Sequence, residues 1–366
     1  MKKLNLKNPF NIHPQIDCFY FDGYKPCLPH KQYGIHCDGC KFYKKLVKNI
    51  LIVKLQAAGE VIRSTPILHR LKRLYPDARI YWITKYPDLV PEDIVYKVFN
   101  WDLSAILFLM EQKFDLLLNL DKDIEACSLA NIVCSKIKKG FTQKNGVILP
   151  FDKDAERKWL TGIFDDLMKV HSQNYIEEIY AICGFKWNKE KYILPGYTLP
   201  DVKMLSNKKI IGINTGVGKK WVTRKLSEGR LITLIHKLEK KYRVVLLGGI
   251  EEDIINKKIS SATNAVYYGI FPLRSFIGLV SMCDLIITPV TLALHIAIGL
   301  EKKIILLNNI FPSNEFYLYG LGEILEPKVA CKYCYKNDFD NKCSSYNCMD
   351  KIADQDILNS INRLLS

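Results

Sequence analysis

The sequence lacks long apolar segments. None of its 366 residues lies in an uninterrupted apolar run of the roughly 20 residues that a membrane-spanning helix needs. The opening residues, MKKLNLKNPFNIHPQIDC, contain a lysine pair with no apolar stretch behind it, which argues against a secretory signal. We therefore expect a cytoplasmic protein, with a peripheral position at the inner membrane as the alternative.

Acidic residues are few compared with basic ones. The chain has 38 Asp and Glu against 53 Lys and Arg, a formal net charge of +15. This balance favours polyanionic partners such as nucleotides, phosphorylated lipids, an anionic membrane face or nucleic acid. Nucleic acid is disfavoured because an arginine-rich tail, an RNP-like aromatic motif and a basic heptad region are all missing from the sequence. A length of 366 residues with 48% hydrophobic and 25% charged residues predicts two ordinary globular domains.

The twelve cysteines are unevenly distributed. Eight fall into two clusters, and each cluster contains a CxxC pair, the spacing at which one turn places two thiolates on one metal ion. We predict two structural sites holding zinc or iron, although one site could combine both CxxC pairs, with His30 and His36 as substitute ligands. Disulfides are disfavoured in a reducing cytoplasm. The predicted ligands are Cys18, Cys27, Cys37 and Cys40, and Cys331, Cys334, Cys343 and Cys348.

The most informative stretch is Ile50 to Pro66, ILIVKLQAAGEVIRSTP. Its aliphatic run predicts a parallel strand that is buried on both faces, and the small residues after it predict a tight turn into a helix that begins near Glu60. A carboxylate at that point would lie in the crevice where open α/β sheets bind ligands. The positive end of the helix would keep it ionised. The alternative is that Glu60 is an ordinary acid in a first helical turn.

Strand and helix patterns alternate along both halves of the chain. This alternation predicts an α/β protein with two doubly wound, Rossmann-like domains facing a cleft. We expect strands at 50–55, 78–84, 95–99, 114–120, 209–214, 243–247, 265–268, 285–288 and 303–308, and a helix at 126–137. The predicted units are a Cys-rich lobe (1–45), a first domain (46–200), a second domain (201–325), a Cys-rich finger (326–350) and a C-terminal helix (351–366).

Two turns in the second half could bind phosphate. The turn from Thr215 to Gly218 can bring backbone N–H groups close to an anion, and Lys219 and Lys220 add positive charge, although such turns are also ordinary strand–helix connections. The run TLALH follows a predicted strand and opens a helix, so its N–H groups should face the same crevice. Within it, His295 either donates to a phosphate or is satisfied by its helical neighbours.

Several motifs together resemble a known family. The run ILIVKLQAAGEVIRSTPILHRLKRLYPDARIYWIT is similar to the opening of the family 9 glycosyltransferases, the group of ADP-heptose:lipopolysaccharide heptosyltransferases. NTGVGKKW, LLGG and TLALHIAIGLEKKIILL resemble the donor-domain motifs of that family in the same order, so the resemblance covers about residues 48–325. It implies a GT-B fold, a nucleotide-diphosphate sugar held by the second domain, and inversion at the anomeric carbon without a catalytic metal.

The resemblance also implies roles for individual residues. Glu60 would be the base that deprotonates the acceptor, and Arg63, with Ala58 and Gly59, would orient the acceptor or donor. The acceptor would be a cell-surface glycan, a lipopolysaccharide or a protein, and the sequence leaves open whether the protein forms an oligomer. The implied donor contacts are Thr215, Gly216, Lys219 and Lys220 for phosphate, Glu251 or Glu252 for the nucleoside, and Thr291, Leu292 and His295 for the pyrophosphate.

The sequence departs from the family pattern in three places. Glu60 replaces the usual Asp, while Val290 and Leu292 replace the Asp and Gly that flank the donor-loop Thr. These changes favour, as an alternative, a weakly active or non-catalytic binding or scaffold protein. The C-terminal cysteines are similar to the iron-binding finger of the autotransporter heptosyltransferases, which glycosylate protein, but their spacing differs and the acceptor stays open.

Overall fold

The computed structural model describes residues 12–203, 207–218, 222–331, 333 and 348–366. Four residues that the sequence singles out, Lys219, Lys220, Cys334 and Cys343, lie outside the described residues. Within the described ranges, no helix has both the length and the apolar character needed to cross a membrane.

The first half of the chain forms a six-stranded sheet in the order β3-β2-β1-β4-β5-β6, which is parallel except for the β5–β6 hairpin. Its strands are β1 Lys48–Val53, β2 Ala78–Thr84, β3 Lys97–Asn100, β4 Lys113–Asn119, β5 Cys134–Lys144 and β6 Val147–Pro150. The helices are α1 Leu28–Tyr33, α2 Ala58–Ser64, α3 Ile67–Leu74, α4 Leu103–Glu111, α5 Ile124–Ile132, α6 Lys153–Thr161, α7 Asp165–Lys169 and α8 Tyr175–Ile182.

The β1 strand lies in the interior of the first sheet, between β2 and β4, and both of its faces are covered. Ile50 and Ile52 pack on one side with α2 and α3, whereas Leu51 and Val53 pack on the other side with α4 and α5. Successive side chains of a strand point to opposite faces, so a strand covered twice needs a continuous apolar run. The chain leaves this strand at the middle of the sheet edge, where the α2 loop begins.

The second half forms a five-stranded, parallel sheet in the order β11-β10-β9-β7-β8. Its strands are β7 Ile210–Asn214, β8 Arg243–Leu247, β9 Leu285–Pro289, β10 Lys303–Leu307 and β11 Gly322–Leu325. The helices are α9 Glu228–Leu238, α10 Asp253–Ala262, α11 Leu273–Ser281, α12 Leu292–Gly299 and α13 Asp354–Leu365. Ile357 and Ile361 of α13 belong to the core of this second sheet.

The predicted parallel α/β architecture is confirmed, but several elements differ from the prediction or were not predicted. The helix predicted at 126–137 ends at Ile132, and the chain continues as β5. The helix predicted after residue 60 starts at Ala58 and is split into α2 and α3 at Pro66, which has no N–H to continue the helical hydrogen bonds. The strand predicted at 265–268 is reduced to one bridge, Val245 to Val266, and β11 was not predicted.

The two halves pack closely where α2 meets α12. A Cβ added at Gly59 would lie 2.5 Å from Cδ2 of His295, so the glycine is what allows this approach. A buried ion pair also joins the halves: Nη2 of Arg63 donates to the carboxylate and to the backbone carbonyl of Glu315, both at 3.0 Å. These contacts fix α2 of the first half against α12 and Glu315 of the second half.

Residues 12–47, all of them described, form a lobe without an apolar core. Cys18 and Pro29 are the buried residues of this segment. Arg79 of β2 holds the lobe to the first sheet through hydrogen bonds to the carbonyl groups of Cys18, Phe19 and Phe21. Among the described residues, no three His, Cys, Asp or Glu side chains are arranged to share one metal ion, so the structure does not show the predicted metal sites.

Candidate functional site

A cavity of about 430 Å³ opens between the two sheets. It is lined by the loops that follow β1, β7, β8 and β9, all at the carboxyl ends of parallel strands, where such sheets bind ligands. The segments that line the cavity, in these loops and in the first residues of the helices α2 and α12, are 57–59, 216–218, 248–249 and 290–293. The structure therefore brings together the β1 turn and the glycine-rich turns that the sequence predicted would face each other.

The turn after β7 presents backbone to the cavity and not the Thr215 hydroxyl. That hydroxyl is buried and donates to Oδ1 of Asn256 at 2.5 Å, so it is turned away from a ligand. The Asn214 amide donates to the Gly216 carbonyl at 3.1 Å and to the Thr291 hydroxyl at 2.9 Å. Asn214 thus holds the β7 and β9 loops in a fixed relation.

Two glutamates line the cavity beside this turn, Glu251 and Glu252. The Glu252 carboxylate accepts a hydrogen bond from the Gly249 N–H at 2.9 Å. A Cβ added at Gly216 would lie 1.9 Å from Oε1 of Glu252, so the close approach of turn and carboxylate requires glycine. The carboxylates offer hydrogen-bond acceptors for ligand hydroxyl groups next to backbone that can receive an anion.

The start of α12 supplies the opposite wall. Thr291, Leu292 and Ala293 line the cavity, with Val290 and Phe271 adding apolar surface. The first N–H groups of a helix have no partner within the helix, which makes this end suited to an anion.

His295 lies one turn further along α12 and is buried. Burial, together with the charge of Arg63, lowers the pKa of His295 well below 6.5, so the imidazole is neutral. It packs against Gly59 and next to the ring of Tyr192. His295 therefore packs in the contact between the two halves of the chain. A hydrogen bond from its side chain to the phosphate of a bound sugar donor stays a prediction.

Glu60 directly follows Ala58 and Gly59, which line the cavity, but is not itself a lining residue, and its carboxylate is held by side chains of the first half of the chain. Its side chain is 41% exposed, and Oε2 accepts from the Lys54 ammonium at 2.5 Å and from the Tyr175 hydroxyl at 3.3 Å. Lys54 is buried, and its Nζ also lies 3.5 Å from Oδ1 of Asp121. Burial alone would raise the pKa of Glu60, but the charge and hydrogen bond of Lys54 lower it to about 2. The carboxylate is therefore ionised throughout the physiological range.

Asp121 fixes the loop that carries these groups. Its carboxylate accepts hydrogen bonds from the N–H groups of Leu55 at 2.8 Å and Gln56 at 3.0 Å. The β1–α2 loop is thereby tied to the end of β4, so the position of Glu60 depends on both strands.

Arg63 does not line the cavity, because its side chain is buried between the two halves of the chain and paired there with Glu315. Its guanidinium stacks 3.8 Å from the centre of the Tyr175 ring and pairs with Glu315. Ala58 and Gly59, predicted with Arg63 on the acceptor side, do line the cavity.

No protein-family model matches the chain, and no curated protein matches its sequence. Solved structures do match. A family 9 glycosyl transferase from Veillonella parvula is 15% identical over 87% of this chain and 97% of its own, with a TM-score of 0.64. The ADP-heptose lipopolysaccharide heptosyltransferase II of E. coli is 16% identical over 87% of this chain and 98% of its own, with a TM-score of 0.62. The chain has the family 9 glycosyltransferase fold.

A third similar structure contains iron. The iron-containing, dodecameric glycosyltransferase TibC of enterotoxigenic E. coli is 12% identical over 88% of this chain and 78% of its own, with a TM-score of 0.55.

Several residues of the site were not predicted from the sequence: Lys54, Tyr175, Asn214 and Glu315. Lys54 left a signal, because it interrupts the apolar run ILIVKL at a point where both neighbours are buried. A buried ammonium needs a carboxylate partner, and the nearest candidate along the chain is Glu60. Tyr175 and Glu315 left no comparable signal because their partners lie more than a hundred residues away in sequence.

Removing the Lys54 ammonium should change the pH dependence of this site. A Glu60 with a folded-state pKa of about 2 stabilises the fold above its ordinary value of 4.5, and this stabilisation is lost as the pH falls through 2. In Lys54→Met the ammonium no longer lowers the pKa of Glu60, while the charges of Arg63 and Lys158 still do, so this pKa should rise from its value of about 2. As the pH is lowered, we expect the rate of sugar transfer by the variant to begin to fall at a higher pH than the wild-type rate does.

The matched control is Lys85→Met, which removes a half-exposed lysine paired with Glu125 at 2.7 Å. Its pH profile should follow that of the wild type. Identical profiles for all three proteins would show that Lys54 does not set the protonation of Glu60.

Proposed function

We propose that the protein is an inverting glycosyltransferase that moves a sugar from a nucleotide-diphosphate donor to an acceptor hydroxyl group. The supporting observation is a cavity at the carboxyl ends of strands from both sheets, lined by backbone suited to an anion and by Ala58 and Gly59, which directly precede the ionised Glu60. The similar E. coli structures are heptosyltransferases, which makes heptose the first donor sugar to test.

In the proposed reaction, Glu60 accepts the proton of the acceptor hydroxyl while that oxygen bonds to the anomeric carbon. The bond from this carbon to the diphosphate breaks on the opposite face, which inverts the configuration. The departing diphosphate gains negative charge, which the N–H groups of the lining segment 216–218 and of the start of α12 would stabilise. Lys219 and Lys220 are proposed to add positive charge there.

Lys54 and Tyr175 would act on this reaction through Glu60. Their hydrogen bonds fix the carboxylate, which matters because a misplacement of about one ångström can cost ~100-fold in rate. They also leave Glu60 a weak base, since a carboxylate with a lowered pKa binds a proton less tightly. A positioned, weak base fits a step in which the proton leaves late, once the acceptor oxygen has begun to bond.

A non-catalytic binding protein is the second candidate. It is favoured by the apolar residues Val290 and Leu292 in the cavity wall and by the neutralisation of Glu60 by Lys54. This candidate predicts donor binding without release of nucleoside diphosphate in the presence of any acceptor, which separates it from the enzyme.

Donor binding is tested by calorimetric titration with ADP, GDP and UDP and their sugars, comparing wild type with Gly216→Ala. The added Cβ would push the Glu252 side chain off its bond to Gly249, so we expect about tenfold weaker binding of the preferred nucleotide. The control is Gly229→Ala in α9, where no atom lies within 4 Å of an added Cβ. Equal affinities in all three proteins would place the nucleotide elsewhere.

The acceptor is proposed to be a cell-surface glycan, a lipid-linked glycan or a protein, reached at the inner membrane or in the cytoplasm.

For the C-terminal cysteines we propose a structural metal. The proposal rests on the spacing of these cysteines in the sequence and on the Asn309 amide, which donates to Cys348 Sγ at 3.2 Å; Cys334 and Cys343 lie outside the described residues.

A further inference from the structure

All four cysteines of the N-terminal lobe line a single cavity of about 250 Å³. They are Cys18, Cys27, Cys37 and Cys40, and each is a thiol that forms no disulfide. Most of the remaining wall consists of proline, isoleucine and aromatic side chains. Thiols that are more than twenty residues apart in sequence thus meet around one apolar space.

The lobe needs a source of stability that its side chains do not supply. Of residues 12–47, Cys18 and Pro29 are buried, while Ile16, Tyr24 and Tyr33 are exposed. A segment of this size without an apolar core usually depends on a disulfide or a metal centre. Because the cysteines are thiols around a shared cavity, a metal centre is the choice that fits.

One metal ion does not fit the arrangement. A single zinc ion binds four thiolates at about 2.3 Å, which draws the sulfur atoms together around one point and leaves no cavity between them. Within the described part of the chain, no three candidate ligands converge in this way. An iron–sulfur cluster places several iron atoms between the thiolates, so its ligands stand further apart and the cluster itself occupies the space.

We propose that Cys18, Cys27, Cys37 and Cys40 hold an iron–sulfur cluster in the N-terminal lobe. Soft thiolate ligands favour such clusters, and four cysteines are the usual ligand set.

The backbone at three of these cysteines is held by hydrogen bonds. The Cys40 N–H donates to the Cys37 carbonyl at 3.2 Å, and Gly39 between them has φ +69°, a conformation that glycine adopts without strain. Cys18 forms a bridge with Lys45, and its carbonyl accepts from Arg79 at 3.0 Å. The CxxC turn is therefore closed by its own hydrogen bond, and Cys18 is tied to the first sheet through Arg79.

His30 and His36 are placed less favourably as cluster ligands than the four thiols. His30 and His36 also line the cavity, but their rings stack on each other with centroids 5.5 Å apart, and Nδ1 of His30 is bonded to the Ile35 carbonyl at 2.8 Å. The four thiols complete a cluster without either ring, so the histidines serve as part of the wall.

The test is anaerobic purification of the full chain, followed by measurement of iron, acid-labile sulfide and zinc per chain. We expect iron and sulfide in equal amounts, a visible absorption band of the iron–sulfur type and an electron paramagnetic resonance signal after reduction with dithionite. These measurements on the wild type do not depend on whether a variant folds. Zinc, iron without sulfide, or no metal would overturn the proposal.

Variants then assign the cluster to the lobe. Cys37→Ser should lower the iron and sulfide content, whereas Cys134→Ser, which removes an exposed thiol of β5, should leave both unchanged. Cys331→Ser reports on the C-terminal cysteines: if it alone removes the iron and sulfide, the cluster is not in the lobe. Donor binding is measured separately, so failure of this proposal would leave the transferase proposal unaffected.

Discussion

Replacing Glu60 by Gln is expected to reduce sugar transfer by about 10²- to 10⁴-fold while leaving donor affinity nearly unchanged. The amide keeps the size of the side chain and can still accept hydrogen bonds from Lys54 and Tyr175, but it cannot accept a proton from the acceptor. The measurement is steady-state release of nucleoside diphosphate, with donor affinity determined by calorimetry.

The matched control is Glu125→Gln, because Glu125 is also an acid in the first turn of a helix that follows a central strand. It forms a half-exposed pair with Lys85 and should leave turnover intact. A Glu60→Gln protein with full turnover would remove Glu60 from the mechanism. A protein with lost turnover and equally lost donor binding would point to a structural effect.

Breaking the buried pair between Arg63 and Glu315 should have the largest effect on stability. Both side chains are about 93% buried or more, so Arg63→Met leaves an uncompensated carboxylate inside the contact between the two halves. Removing one partner of a buried ion pair costs about 3–5 kcal/mol in the free energy of unfolding. The measurement is the midpoint and slope of unfolding in urea.

A second ion pair between the halves gives the control. Arg274 of α11 pairs with Glu92 at 2.6 Å, but these side chains are 31% and 63% exposed. Because solvent screens such a pair, Arg274→Met should cost about 0–1 kcal/mol. The double variant Arg63→Met with Glu315→Leu should recover much of the lost stability, since no charge is left buried. Equal costs for Arg63→Met and Arg274→Met would contradict the role given to the buried pair.

The sequence allowed the parallel strands to be predicted well, because most of them are short apolar runs buried on both faces. β2 and β8 match their predicted limits, as does the central position of β1. β5 was missed because it is half exposed and rich in lysine, so its side chains carry no buried-strand pattern. Its position follows from pairing with β4, which is a tertiary contact.

The candidate site was predicted at the level of loops and less well at the level of side chains. Glycine-rich turns after strands are local patterns, and the structure places them around one cavity. The orientation of Thr215, His295 and Arg63 depends on distant partners, namely Asn256, Gly59 and Glu315. The pattern of a single sequence does not contain these pairings. The predicted contacts of these side chains therefore differ from the observed ones more than the predicted positions of the loops do.

The most direct test of the central claim is a crystal structure of the protein with the nucleoside diphosphate that binds most tightly in calorimetry. We predict a diphosphate bonded to backbone N–H groups at 216–218 and at the start of α12, with its terminal phosphate facing Glu60. A diphosphate bound outside the cavity between the two sheets, or turned with its nucleoside toward Glu60, would contradict the proposal.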